Sequence, residues 1–219
     1  MKKIAITQRV EHISGINERR DCLDQRWFDF ARLLGVHLIP IPNNLQDVNT
    51  FITDLGLEGF VFSGGNNIDC EGGNSKSLEV DGVAYERDKT EGKVLEWAIQ
   101  NKAPVVGICR GMQYINVFFG GGLSLVDEDT HVAKEHDISF SDPLMRTWYT
   151  QLGKVNSYHK FGITSSALGK ELDVCAQYGD EIEAFRHHEY PIWGIMWHPE
   201  RINPLPEADI QLFKYIFNL

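Results

Sequence analysis

The sequence predicts an α/β protein built on a mostly parallel sheet, with an antiparallel portion in its C-terminal half. Two patterns carry this. In the first half, short apolar runs alternate with segments of helical period, as βαβ units do. After Gly122 the rhythm changes, and strand-like runs follow one another. Size is the third observation. The 219 residues are 42% hydrophobic, enough for one large core, and contain no evident linker or repeat. At roughly 100–200 residues per domain, a single domain over 1–219 is expected.

Lys3–Thr7 (KIAIT) reads as the first strand, followed by a polar stretch through Asp21. Asp21 is placed to cap a helix over CLDQRWFDFARLLG, with Trp27, Phe30, Leu33 and Leu34 on one face and Gly35 ending it. VHLIPIP is a second strand, with Pro40 and Pro42 at its far end, and LQDVNTFITDLG a short helix. EGFVFSGG is a third strand, breaking on Gly64 and Gly65. Asn66–Gly82, rich in glycine and asparagine, reads as a functional loop. AYERDKTEGKVLEWAIQN is a helix with Val94, Leu95 and Ala98 inward, and PVVGI a buried strand. A further helix follows and stops at Gly120–Gly122. HDISFSD, ELDVCAQYG, IEAFRHH and IWGIMWHP supply the antiparallel strands. PEADIQLFKYIFNL closes with a helix starting at Pro206 and Glu207.

The formal net charge of −10 argues against a nucleic-acid scaffold, because phosphate binding needs a basic face. Cys22, Cys70, Cys109 and Cys175 form no C-x-x-C pair, so neither a zinc motif nor a redox motif is indicated. The N-terminal apolar run is too short for a signal peptide, and no stretch approaches the roughly 18 apolar residues of a membrane span. A soluble, cytoplasmic protein without membrane or nucleic-acid partners is expected.

The most informative stretch is VVGICRGMQYINVFFGG, Val105–Gly121, where a strand pattern runs into a cysteine and a helix begins. A helix N-terminus carries partial positive charge and free N–H groups, which favour a thiolate. A strand-to-helix turn also projects its residue from the carboxyl edge of the sheet, where α/β proteins bind ligands. The N–H of Arg110 stands beside the nucleophile as an oxyanion donor, and Gly111 allows the tight passage. The serine hydrolase elbow uses the same logic. Alone, a cysteine after an apolar run is a small buried hydrophobe. A partner is offered by GIMWHPE, where Pro199 ends a strand after His198 and Glu200 follows two residues later. Thiol, base and orienting carboxylate make a nucleophile triad in general form.

With these residues in view, GICRGMQ and the later WHPE resemble the class I glutamine amidotransferase superfamily. FSGGNN at Phe62–Asn67 resembles its glycine loop, and VNSYHK at Val155–Lys160 its V-N-S-x-H segment. The resemblance implies a flavodoxin-like three-layer sandwich and a triad of Cys109, His198 and Glu200. It also implies an oxyanion hole from the backbone N–H groups of Gly65 and Arg110. Gly64, Gln113, Asn156, Ser157, Tyr158 and His159 would hold the γ-glutamyl group. Arg110, where true amidotransferases carry a bulky uncharged residue, is similar to the branch that hydrolyses γ-glutamyl amides, typified by γ-glutamyl-γ-aminobutyrate hydrolases. Read by itself, Arg110 would form a surface ion pair. ITQRV with ERRD and LDQRW also resembles small hydrolases of this branch that release a nucleotide phosphoramidate from γ-glutamyl-CDP-amidate, in making phosphoramidate-decorated surface polysaccharide. Arg19, Arg20 and Arg26 are then candidates for an anionic leaving group, against a reading as solvated helix-start charges. A glutaminase that feeds a separate synthase is the other implied role. The expected partner is a small γ-glutamyl amide, and a homodimer is compatible with this reading.

No cofactor is called for, and no metal. His187 and His188 point to opposite faces of a strand, so they do not chelate together. His131 and His136 have no patterned carboxylate partners, and Asp127–Asp129 reads as a solvated charge run. Trp193 and Trp197 read as core. Cys22, Cys70 and Cys175 lack the elbow context.

Overall fold

The computed structural model describes residues 1–69, 82–149 and 153–219. Most of the expected Asn66–Gly82 loop, with Cys70, lies outside the described residues. Strand β1 is Lys3–Thr7, as expected. The polar stretch after it is not a loop. Arg9–Ile13 (β2) and Glu18–Cys22 (β3) pair antiparallel as a hairpin. Helix α1 therefore starts later than expected and covers Arg26–Leu34. Asp21 does not cap it. Its carboxylate accepts from the backbone and side-chain N–H of Asn43 at 2.9 and 2.8 Å. Trp27, Phe30 and Leu34 are buried, while Leu33 is exposed because it falls outside the inward arc.

Next come β4 (His37–Ile41), α2 (Val48–Leu55), β5 (Gly59–Phe62), α3 (Tyr85–Asn101), β6 (Val105–Ile108) and α4 (Arg110–Phe118). The Asp47 carboxylate caps α2 through Thr50 N–H. Pro40 lies within β4, tolerated because β4 is a sheet edge. Beyond α4 lie β7 (Ser124–Leu125), α5 (Glu128–His131), β8 (Val132–Asp137), β9 (Ser139–Phe140), α6 (Pro143–Trp148) and β10 (Lys154–Tyr158). The chain ends with β11 (Phe161–Gly162), β12 (Leu172–Tyr178), β13 (Glu181–His187), β14 (Ile192–Ile195) and α7 (Glu207–Phe217).

The main sheet has the order β4-β1-β5-β6-β14-β13-β12-β9. The pairs from β4 through β14 are parallel, and those from β14 to β9 antiparallel. This mixed sheet, with its parallel strands central and its helices packed on it, is the flavodoxin-like α/β fold. The antiparallel half also carries a separate ribbon, β8 paired with β10. The parallel strands β5, β6 and β14 are buried throughout, which explains their unbroken apolar runs. Trp193 and Trp197 are core, as their alternation predicts.

Candidate active site

At the end of β6 the chain turns sharply. Cys109 has φ +51° and ψ −105°, a conformation costly for a side chain. Three contacts hold it. Its N–H donates to Ile195 O at 2.8 Å, and its carbonyl accepts from Gln113 N–H at 3.0 Å. Gly111 crosses so close to Phe62 that a Cβ there would run into the Phe62 carbonyl. A Cβ on Gly107 would lie 2.6 Å from the backbone of Gly111 and Met112. Two glycines without room for a side chain thus lock the elbow between β5 and β14. Cys109 is itself 7% exposed.

β14, hydrogen-bonded alongside β6, delivers His198 to the same edge. The Cys109 thiol lies close enough to the imidazole to influence its protonation. On the far side of the ring, His198 Nδ1 is 2.7 Å from Glu200 Oε1. Pro199–Arg201 forms a 3-10 turn that brings Glu200 back under the ring. Burial alone would lower the imidazole pKa. The Cys109 thiolate and the Glu200 carboxylate override it and raise His198 to about 9. The three residues named from the sequence therefore meet in one place.

The glycine loop after β5 packs on the other face of His198. A Cβ on Gly64 would sit 2.6 Å from His198 Cε1. Gly65 takes φ +84°, which glycine adopts without strain. A fully buried Arg87 grips this loop from α3, donating to the carbonyls of Ser63, Gly64 and Gly65. In a trans peptide the C=O and the following N–H point oppositely. Holding the Gly64 carbonyl therefore turns the Gly65 N–H away from Arg87. The Arg110 N–H is the first of α4 and has no intrahelical acceptor.

Arg110 is an ion pair, but not at the surface. It is 1% exposed and binds Asp88 and Glu91, while Arg87 binds the other oxygen of Glu91 at 3.0 Å. Thr7 Oγ1 also donates to Glu91, at 2.6 Å. Burial pulls both guanidinium groups down to about 9, so both stay charged at neutral pH. The network ties glycine loop, elbow and α3 together. Sequence reading missed Arg87 and Glu91, although both fall on the stripe that continues into Val94, Leu95 and Ala98. Charged residues in phase with a buried face are the signal.

The V-N-S-x-H segment does several jobs. Asn156 donates to His198 O and accepts from His198 N–H, each at 2.8 Å. Its amide positions the His198 backbone with one donor and one acceptor, which leaves one N–H and one lone pair uncommitted. Ser157 is buried, with Oγ 3.3 Å from His131 Nδ1. Gln113 Nε2 donates to Phe161 O at 2.6 Å, and His159 Nδ1 lies 3.0 Å from the same oxygen. Tyr158 is exposed, its ring edge-on to His198 and stacked under the Arg201 guanidinium. His131 and His136, expected to lack carboxylate partners, face Glu181 and Glu183 respectively.

A cleft of about 320 Å³ opens beside His198, lined by Gly64, Gly65, Trp27, Arg9, Asp24 and Arg201 among others. Arg9 and Arg201 were not singled out from the sequence. Strand alternation in the hairpin sends Arg9 and Glu11 to this cleft. Arg19 and Asp21 go to a separate hollow of about 700 Å³. Arg19 therefore does not line the cleft, which corrects the sequence reading. It pairs with Glu86, Arg20 with Glu18, and Arg26 with Asp24. The Asp24 carboxylate holds the Arg26 guanidinium above its ordinary pKa, with a smaller contribution from the Glu200 carboxylate.

Comparison with known proteins bears on family and fold. The family model described as Peptidase C26 matches residues 4–200. The γ-glutamyl-CDP-amidate hydrolase of Campylobacter jejuni is 33% identical over 218 residues, covering 99% of this chain and 98% of that protein. A glutamine-hydrolyzing GMP synthase component from Pyrococcus furiosus is 29% identical, covering 82% and 84%. A solved glutamine amidotransferase from Thermotoga maritima superposes with a TM-score of 0.62 at 13% identity, covering 99% and 84%, a likeness of fold. The chain belongs to the Peptidase C26 family of class I glutamine amidotransferase-like proteins, and is an amide hydrolase of that kind.

Proposed function

We propose that this protein is a cysteine-dependent γ-glutamyl amide hydrolase, acting on γ-glutamyl-CDP-amidate to give glutamate and cytidine diphosphoramidate. One observation carries the chemistry. A thiol on a strained elbow faces an imidazole whose other nitrogen is held 2.7 Å from a buried carboxylate. Cys109 is the nucleophile: with its proton held by His198, its sulfur attacks the γ-carbonyl carbon, and hydrolysis of the thioester restores the same thiolate and protonated imidazole. Negative charge moves to the carbonyl oxygen, which the Gly65 and Arg110 N–H groups bind. Such donors are each worth about 3–4 kcal/mol in comparable sites. His198, protonated at neutral pH, gives its proton to the leaving nitrogen as the C–N bond breaks. It then takes a proton from water, whose oxygen opens the thioester, freeing glutamate and returning Cys109 as the thiolate beside protonated His198. Glu200 orients the imidazole and stabilises its charge.

Three features support the substrate. The relative from Campylobacter jejuni, matched along nearly its whole length, carries that activity in its name. Arg9 and Arg201 line the cleft beside His198, where a diphosphate would leave. Asp24, which also lines the cleft, holds Arg26 in an ion pair just behind it. In this reading the product serves phosphoramidate modification of a capsule polysaccharide in the cytoplasm. Glutaminase action for a synthase is the second reading, favoured by the match to a GMP synthase component.

The test is a panel of glutamine, γ-glutamyl-γ-aminobutyrate and γ-glutamyl-CDP-amidate, with glutamate release as readout. The amidate should give the highest kcat/KM, and Cys109→Ala should release no glutamate from any of the three. Equal or faster turnover of glutamine would sink the hydrolase assignment.

A further inference from the structure

Four ligating side chains that take no part in the proposed chemistry converge at the seam between the β8–β10 ribbon and the main sheet. His131 ends α5, His136 lies in β8, His159 follows β10 and Glu183 lies in β13. All four are at least 95% buried. Each offers one ligand atom, and these atoms lie within 4.8 Å of one another. His136 Nδ1 faces the Asp137 carbonyl at 3.2 Å, and His159 Nδ1 faces the Phe161 carbonyl at 3.0 Å. Those contacts put the ring proton on Nδ1 and leave Nε2 as a bare lone pair. Both Nε2 atoms then point at Glu183. Neither has a hydrogen-bond partner among the described residues, and neither oxygen of Glu183 has one. Such convergence of unsatisfied atoms calls for an explanation, because buried polar groups are almost always paired.

The spacing supplies it. Glu183 Oε1 is 3.7 Å from His136 Nε2 and 3.8 Å from His159 Nε2. These gaps are too long for hydrogen bonds. Two ligands on one tetrahedral zinc ion stand about 3.4 Å apart at ordinary Zn–N and Zn–O lengths. These two gaps are a few tenths of an ångström wider, and the widest spread among the four ligand atoms, up to 4.8 Å, closes by rotation of the side chains onto the ion. A second carboxylate, Glu181, lies 2.6 Å from His131 Nε2 and suits the group that orients a ligating ring.

The geometry points to a structural site for a divalent transition metal, of zinc type, held by His131, His136, His159 and Glu183. Three imidazoles and one carboxylate suit zinc better than magnesium or calcium, which prefer oxygen. With four protein ligands and no exposed face, the ion has no position left for water or substrate, so it acts as a staple. It joins α5, β8, the turn after β10, and β13. Asn156, which grips His198, lies on β10, so the staple also steadies the catalytic base.

The test uses full-length Cys109→Ala protein, which removes the thiolate as a competing ligand. Loaded with zinc chloride and desalted, it should retain about one zinc per chain, as structural sites do. Cobalt(II) in its place should give the visible absorption of a four-coordinate site without a thiolate charge-transfer band. Glu183→Gln or His136→Gln, added to this background, should cut the zinc to below about a tenth per chain and abolish the rise in Tm on zinc addition. If either variant fails to fold, metal content and cobalt spectrum of the parent decide. Zinc below about a tenth per chain in the parent, or equal zinc in parent and folded variants, would overturn the site. Neither outcome bears on glutamate release, so this inference and the hydrolase reading fail separately.

Discussion

Gly64 and Glu200 bracket His198, one against its carbon edge and one against Nδ1. They give the sharpest predictions at the scale of single residues. Gly64→Ala forces the imidazole to move, because a Cβ would lie 2.6 Å from Cε1. A shift near 1 Å in such a site costs about 100-fold in rate. Steady-state kinetics should show that loss while Tm changes little. Glu200→Gln acts through the proton. The folded value of His198, about 9, lies above the ordinary 6.5. The folded state thus holds that proton more tightly, and the stabilisation is complete below about pH 6.5. It drains away as pH rises through about 9. The stability advantage of wild type over Glu200→Gln, from urea unfolding, should narrow across that window. An advantage that widened with pH would contradict the linkage. At this scale the sequence was unusually legible. Cys109, His198 and Glu200 each announce themselves by a break in a strand pattern, and such breaks survive in one dimension. Asn156 was read as a ligand donor, because nothing along the chain shows that its amide is already partly engaged.

The elements were legible where burial is one-sided or complete. β1, β5 and β6 are apolar runs that lie where their pattern placed them, whereas β14, expected among the antiparallel strands over IWGIMWHP, covers only Ile192–Ile195 and runs parallel to β6 while antiparallel to β13. The β2–β3 hairpin was invisible for the opposite reason. All but one of its ten residues remain at least partly exposed, so no alternation of burial marks its sequence. Its turn, Ser14–Asn17, also lacks the short Asn-Gly type signal of a two-residue hairpin. Helix α3 was found, but its role was not. Through Arg87, Asp88 and Glu91 it braces both the glycine loop and the elbow. Arg110→Met removes the cation facing Asp88 and Glu91, leaving Glu91 Oε2 and Asp88 Oδ1 without it while Arg87 and Thr7 still hold Glu91 Oε1. Breaking a buried pair from one side costs about 3–5 kcal/mol. Chemical denaturation should register that loss, and a loss under about 1 kcal/mol would show that the network relaxes onto Arg87 alone.

For the molecule as a whole, α7 closes one face of the sheet. Phe213 and Phe217 are buried, Phe213 meets Phe30 of α1 edge-on at 4.6 Å, and Phe217 fills the space that Gly59 leaves. Asp209, buried on the same helix, accepts from Tyr149 at 2.5 Å and Trp197 at 2.9 Å, joining α6 and the end of β14 to it. Phe213→Ala should lower unfolding free energy by about 3–5 kcal/mol, as large aromatic truncations in cores do. The chain order of the sheet was only half readable. Alternating strands and helices predicted the parallel half, and the change after Gly122 predicted the antiparallel half. That β14 enters between β6 and β13 is set by packing between distant segments, which no local pattern records. This insertion has a consequence for biosynthesis. Until the segment carrying β14 and His198 has been synthesised, the thiol at 109 has neither the imidazole beside it nor the strand whose carbonyl pins its turn. The turn at 109 and the imidazole beside it are therefore completed together, when the late strand docks.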